Sequence, residues 1–365
     1  MTAYEDLEEE EIRDENEDGG LYEHFRFTAD KGQSPIRVDV FLQDRIENIS
    51  RNRIQQAAKA GSVLVNGQPV KSNYKVKPGD VIQIVYARPV TEHTVEAEDL
   101  QLEIVYEDDD VVIINKRAGM VVHPGHGNFT GTLVNGLMHL HANWPDINGA
   151  TRPGIVHRLD KNTSGLIIAG KTEWALQHLA KQFFDRTIKR HYIALVWGDV
   201  EADKGRVEGN IVRNPNNRKL FQVDPDGLTG KWAATNYEVL QRFGYVSLLR
   251  CQLETGRTHQ IRVHLKYIGH TLFNDFNYGG DQILSGTVYS KYKQFIQNCF
   301  TLLPYHALHA QSLGFIHPTT LKELYFEAPL PDNFQAVIDK WETYTKGFQI
   351  KGFPQDSEEE IEEIL

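Results

Sequence analysis

The sequence predicts an α+β protein: a small α+β unit followed by a larger domain around a mixed, mostly antiparallel sheet. Three observations carry this. Residues 34–88 alternate short helical and β-prone runs around strong turn signals. Residues 89–100 are polar and unpatterned, as a linker is. Beyond them, long alternating segments meet by hairpins, with few βαβ alternations, which argues for an antiparallel rather than a doubly wound sheet.

Taken in order, "IRVDVFLQDRI" is expected to open a first helix. Ser50 is a good N-cap for "RNRIQQAAKA", and Gly61 stands where that second helix should stop. In "SVLVNGQPV", two β-prone runs are split by Asn66-Gly67, a strong signal for a tight hairpin. "KPGD" at 77–80 is a further turn leading into the strand "VIQIVY". In the larger domain, expected over residues 101–350, "LEIVYEDDDVVIINK" reads as two strands around an acidic turn, and "LIIAGKT" as a buried strand. "TEWALQHLAKQFF" is a helix capped by Thr172, with Leu176, Leu179 and Phe183 facing inward. "RHYIALVWG", "AATNYEVLQR" and "GYVSLLRCQLE" are further strands, and "THQIRVHLKYIG" is a helix closed by Gly269.

The net charge of −11 hides an uneven distribution. Residues 1–19 carry ten acids and one arginine, and residues 355–365 carry six acids and no base. Setting aside these −9 and −6 contributions leaves +4 for residues 20–354. The tails, residues 1–20 and 355–365, are expected to be disordered and solvated, since like charges repel and little can be buried. Residues 34–90 hold nine bases and four acids. Arg51, Arg53 and Lys59 fall on the second helix and Lys71 follows the hairpin; such clustering is the electrostatic footprint of phosphate binding. No stretch approaches the ~18 apolar residues of a membrane span. The acidic N-terminus is neither a secretory signal nor a transit peptide, and Cys251 and Cys299 have no metal spacing. A cytoplasmic, monomeric protein without membrane contact is expected.

Chemistry concentrates in a few stretches. "GIVHRLDKNTSGL", residues 154–166, sets charged residues among apolar ones. Arg158, two residues before Asp160, is placed to hold that carboxylate ionised; a structural Arg–Asp turn fits these residues as well. On the helix within "LETGRTHQIRVHL", Ile261, Leu265 and Ile268 make an apolar face, while His259, Arg262 and Lys266 form a cationic stripe for a carboxylate or phosphate. The helix N-terminus after Gly256, beside Arg257, is itself an expected anion site. Tyr192 in "KRHYIALVWG" reads as a core aromatic or a site residue. His306-x-x-His309 and His123-x-x-His126 have metal-like spacing without supporting cysteines or an H-E-x-x-H context, so no metal is expected.

"HRLDKNTSGL" followed by "TGRTHQIRVHL", with the closing "HALHAQSLGFIHP", resembles the RluA-type pseudouridine synthases. The likeness runs from about residue 36 to about 330 and is strongest to the RluD-like bacterial members that act on large-subunit ribosomal RNA. The segment from Arg37 through "KPGDVI" resembles the S4-type RNA-binding domain these members carry. The resemblance implies that Asp160 is the catalytic aspartate, Tyr192 the active-site tyrosine and Arg262 the arginine paired with the aspartate. It also implies that Arg158 enters the space left by a flipped base, with His157, Arg257 and His259 at the RNA. The implied reaction needs no cofactor: uracil leaves the sugar through nitrogen and returns through carbon. Arg117 stands where the family usually has proline and Asn162 where it usually has aspartate; neither belongs to the implied catalytic set. A transfer-RNA enzyme, or a non-catalytic RNA-binding protein on the same scaffold, are the alternatives.

Overall fold

The computed structural model describes residues 22–30, 32–46, 51–86, 95–125, 128–141, 144, 154–217, 220–224 and 226–351. Both acidic tails, Ser50, His126 and residues 89–94 of the expected linker lie outside them. The chain divides into two compact units, residues 1–94 and 95–365.

The first unit contains β1 (Tyr22–Thr28), β2 (Ile36–Arg37), α1 (Val38–Gln43), α2 (Arg51–Lys59), β3 (Val63–Val65), β4 (Gln68–Pro69), β5 (Lys75–Val76) and β6 (Val81–Tyr86). Its sheet runs β1-β6-β3-β4, and β2 pairs with β5. Asn66 and Gly67 both take positive φ, 49° and 78°, as the tight hairpin turn requires. β1 precedes the segment expected to fold; it supplies an antiparallel partner for the otherwise open edge of β6. Val38, Phe41, Leu42, Ile54, Val63 and Ile82 close the core.

A carboxylate sits in that core. Asp39 is fully buried and accepts two bonds from Arg37 (3.0 and 2.9 Å), one from Arg51 (3.1 Å) and one from Gln55 (2.8 Å). The Arg37 bonds do most to hold it far below the ordinary carboxylate range, against burial. Arg51, expected at the RNA, therefore also ties α2 to α1, whereas Lys59 and Lys71 are exposed.

The second unit adds β7 (Ile104–Glu107), β8 (Val111–Lys116), α3 (Leu133–Leu140), β9 (Ser164–Gly170), α4 (Glu173–Asp185), β10 (Lys189–Trp197), β11 (Lys204–Arg213), β12 (Phe221–Val223), β13 (Lys231–Arg242), β14 (Val246–Leu253), α5 (Gln260–Tyr267), α6 (Ser290–Leu302), β15 (Leu308–Ile316), β16 (Glu323–Glu327) and α7 (Asp332–Lys351). The strands form one sheet in the order β12-β11-β13-β14-β10-β15-β9-β8-β7, with β16 on β15. Among the described residues only β15 and β9 pair in parallel. The α+β class with a mixed, mostly antiparallel sheet is thus observed.

Strand alternation divides β10 between two cores. Ile193, Leu195 and Trp197 pack with Phe295, Phe334 and Trp341 of α6 and α7. Tyr192, Ala194 and Val196 face the other way, with Leu133 and Leu137 of α3 and Ile261 and Leu265 of α5. Parity alone therefore puts Tyr192 on the α5 side. At the β9–β15 junction Gly165 has φ +112°, and a Cβ there would meet the Ala310 carbonyl oxygen at 2.2 Å. Glycine permits that approach, and it fixes the chain just after Asp160 against β15.

Candidate active site

Asp160 occupies the turn entering β9. Its carbonyl accepts from the Thr163 N–H at 3.1 Å, and the turn is pinned from β15's side: Thr163 Oγ1 lies 2.8 Å from His306 Nε2, and Ser164 Oγ 2.9 Å from His309 Nδ1. The two histidines with metal-like spacing are thus engaged with hydroxyls. Among the described residues no group of three or more His, Cys, Asp or Glu side chains is placed to hold a metal ion.

The carboxylate's partner comes from 102 residues away. Arg262 Nη1 donates to Asp160 Oδ2 at 3.1 Å, while Nε and Nη2 grip Asp275 at 2.7 and 2.8 Å. Arg262 is 3% exposed and Asp275 1%, so the guanidinium is held rigidly in the fork geometry that a planar cation allows. This corrects one expectation. Arg158 is exposed at the cavity mouth, and among the described residues it makes no ion pair with Asp160. A surface arginine screened by water would hold the carboxylate weakly; the buried Arg262 does so without that screening.

Burial alone would raise the Asp160 carboxyl. The positive charge of His259 when protonated, and the permanent one of Arg262, outweigh it and keep the group below its ordinary value. His259 Nε2 stands 3.9 Å from Asp160 Oδ2. Its Nδ1 lies 2.9 Å from the Tyr278 hydroxyl, which also accepts the Phe221 N–H at 3.1 Å. Burial pushes the Tyr278 phenol up to about 12, so it stays protonated and donates to Nδ1. Neutral His259 then carries its hydrogen on Nε2, toward Asp160.

The cationic stripe is thus partly buried at His259, buried at Arg262 and exposed at Lys266. His259 and Arg262 meet the acids, and Lys266 donates to the Tyr278 carbonyl at 3.0 Å. The start of the helix also differs from expectation. His259 adopts φ 55°, and α5 begins at Gln260 rather than Thr258. The Gln260 side chain takes the Arg257 N–H at 2.9 Å and the Thr255 hydroxyl at 2.7 Å, and donates to the Ala234 carbonyl at 2.9 Å. That internal cap occupies the donor expected to bind an anion. Arg257 itself donates through Nε to the Trp232 carbonyl at 3.2 Å, at the rim.

Asp160 and Tyr192 line one cavity of about 600 Å³, large enough for a nucleoside. Five arginines line it, Arg158, Arg186, Arg190, Arg257 and Arg262, against two carboxylates, Asp160 and Glu254. Tyr192 is 5% exposed, and burial raises its phenol above the ordinary value, so in the free protein it is a stacking and hydrogen-bonding group rather than a phenolate base. His157 also faces this cavity. Arg51, Arg53, Lys59 and Lys71 belong to the first unit; the Arg53 side chain lies outside the described set.

Sequence reasoning missed three groups that build this site: Asp275, Tyr278 and Lys116. Lys116 ends β8 inside the apolar run "VVIINK" and is 1% exposed. Its ammonium donates to the carbonyls of Arg117 (3.0 Å), Met120 (2.9 Å) and Lys161 (3.1 Å), tying two loops beneath Asp160. Burial pushes it down to about 7, with Asp160 opposing. A lysine closing a strand of aliphatics was the available signal. Lys116→Met should cost about 1–3 kcal/mol of stability, because three carbonyls, that of Met120 buried, lose their donor. An unchanged urea midpoint would sink that reading.

The comparisons with known proteins agree with one another. The model of the RNA pseudouridylate synthase family matches residues 110–267, and that of the S4 domain residues 36–82. An uncharacterized RNA pseudouridine synthase of Chlorobaculum parvum is 47% identical over 316 residues, covering 86% of this chain and 96% of that protein. The uncharacterized RNA pseudouridine synthase YlyB of Bacillus subtilis is 43% identical, with 86% and 96% covered. The ribosomal large subunit pseudouridine synthase D of Nitrosomonas europaea is 41% identical over 303 residues, 83% of each chain.

Proposed function

Since the chain belongs to the RNA pseudouridylate synthase family and is an RNA pseudouridine synthase, we propose that it modifies uridines of structured large-subunit ribosomal RNA, with Asp160 as the nucleophilic carboxylate. One observation carries the assignment of Asp160: a carboxylate at a nucleoside-sized cavity, held by a buried arginine that a second aspartate locks in place. Support for the ribosomal target comes from the relatives named for that RNA and from the accompanying S4 domain.

The chemistry follows from the geometry. Isomerisation breaks the bond from uracil N1 to the sugar C1′ and makes one from C5 to C1′. The C5 proton is lost to solvent and N1 regains one, so no redox partner is consumed. The base must leave its stack, which a groove lined by arginines and aromatics favours. Asp160, kept ionised, attacks the electron-poor centre; Tyr192 packs against the ring; Arg262 orients the carboxylate and offsets its charge.

Chemical mapping of pseudouridine in total RNA, with and without the gene, tests this. Large-subunit sites that vanish with the gene support the target; loss confined to transfer RNA would replace it.

The S4 unit should add affinity rather than chemistry. A protein lacking residues 1–88 is expected to bind structured RNA more weakly than one lacking only residues 1–20, with a log–log salt slope smaller by roughly 0.7–0.9 per lost phosphate contact. Equal affinity and slope in the two would make the unit a stability or protein-contact module.

A further inference from the structure

Two buried donors of the cavity have no acceptor among the described residues. His157 Nε2 accepts the Ile168 N–H at 3.0 Å, so a neutral ring must carry its hydrogen on Nδ1. Burial, together with the charge of Arg190 and the nearby His123, pushes this imidazole down to about 3, so it is neutral in solution near pH 7. Its Nδ1–H meets nothing. Arg190 Nε is likewise buried and without a hydrogen-bond partner.

Both groups flank one ring. His157 stacks on Phe183 with centroids 4.5 Å apart, and the Arg190 guanidinium lies 5.1 Å from the same ring's centroid. Neither of the cavity's carboxylates answers Arg190: Asp160 is held by Arg262, and Glu254 by Arg206 (2.8 Å) and Asn236 (2.9 Å). Among the described residues no ion pair joins Arg158, Arg186 or Arg190 to an acid. Native proteins rarely leave buried donors unmet, and a neutral donor beside a guanidinium donor at a ligand cavity calls for an anionic acceptor.

We propose that the arm of the cavity between His157 and Arg190 receives a backbone phosphate of the RNA, one of the two that flank the extruded uridine. The inference rests on the synthase reading, since a nucleotide whose base lies near Asp160 must bring its phosphodiesters toward the cavity wall. His157 gives one neutral hydrogen bond and Arg190 a charged one. Phe183 fixes both planes. A uracil carbonyl would satisfy either donor, but it would leave the guanidinium charge uncompensated; a phosphodiester satisfies both.

The test uses the full chain and the shortest large-subunit ribosomal RNA fragment that it converts. Phosphates around the target uridine are replaced one at a time by neutral methylphosphonates. In the wild type, one replacement should weaken binding by about tenfold, the size of a charge-assisted bond. In Arg190→Gln that same replacement should cost nothing further, and the salt slope should fall by roughly 0.7. His157→Phe keeps the stack on Phe183 and should blunt the same position. In both variants KM should rise more than kcat falls. A penalty that stays undiminished in both folded variants overturns the subsite. So does a wild-type scan in which neither flanking phosphate matters, a result that needs no variant to fold. Failure of the wild type to form pseudouridine in any RNA would strike the synthase reading instead, so the two failures are separable.

Discussion

Asp160→Asn is expected to abolish pseudouridine formation while RNA binding survives. The amide is near-isosteric and can still accept from Arg262, but it carries no charge and is a poor nucleophile. The loss of turnover should reach at least about four orders of magnitude, as for other nucleophile deletions. Pseudouridine formation in a pre-bound RNA, measured in single turnovers, separates this from weaker binding. Turnover within tenfold of wild type would remove Asp160 from the chemistry. Stability should fall slightly at neutral pH, because the lowered pKa of Asp160 means that the fold favours the charge that the variant deletes.

The second large effect is expected at Arg262. Arg262→Gln leaves Asp275, 1% exposed, without its cationic partner, and breaking such a buried pair costs about 3–5 kcal/mol. Activity should fall roughly a hundredfold or more, since the carboxylate loses its orientation. The pH profile gives the sharper readout. Asp160 acts as the anion, so activity is lost as pH falls through its pKa. In the wild type that pKa is below the ordinary value, and the acid limb lies correspondingly low. Without Arg262, burial is opposed chiefly by His259 and the pKa rises, so the limb moves to higher pH. Arg262→Lys keeps a charge but lacks the planar fork that grips Asp275 while reaching Asp160; its limb should move less, with turnover still reduced. An acid limb at the same pH in all three proteins would show that Arg262 does not hold Asp160 ionised.

Much of this was legible beforehand because it is local. Asn66-Gly67 could only make a tight reversal, and it does. Thr172 caps α4 as its side chain demands, accepting the Ala175 N–H at 3.1 Å. The apolar face of Ile261 and Leu265 is buried as its spacing requires. The alternation in β10 fixed which side of the sheet Tyr192 would face, though not what would lie there. The family resemblance brought Asp160, Tyr192 and Arg262 together as candidates, and the fold places all three at one cavity.

What the chain order could not convey is which distant groups complete each charge. Arg158 is Asp160's neighbour in sequence, yet Arg262 reaches the carboxylate, because the turn entering β9 and the first turn of α5 converge in space. Asp275, thirteen residues beyond Arg262, looks like one more loop acid until the fold buries it under the guanidinium. Periodicity offers the stripe on α5 to a carboxylate or a phosphate without saying which; the fold brings Asp160 and Asp275 to Arg262. Lys116 likewise gains its meaning only from three carbonyls on two separate loops. Local propensity and pattern determine elements and faces. The ionisation of Asp160 depends on desolvation and on charges within a few ångströms, and only the packed tertiary structure sets those distances.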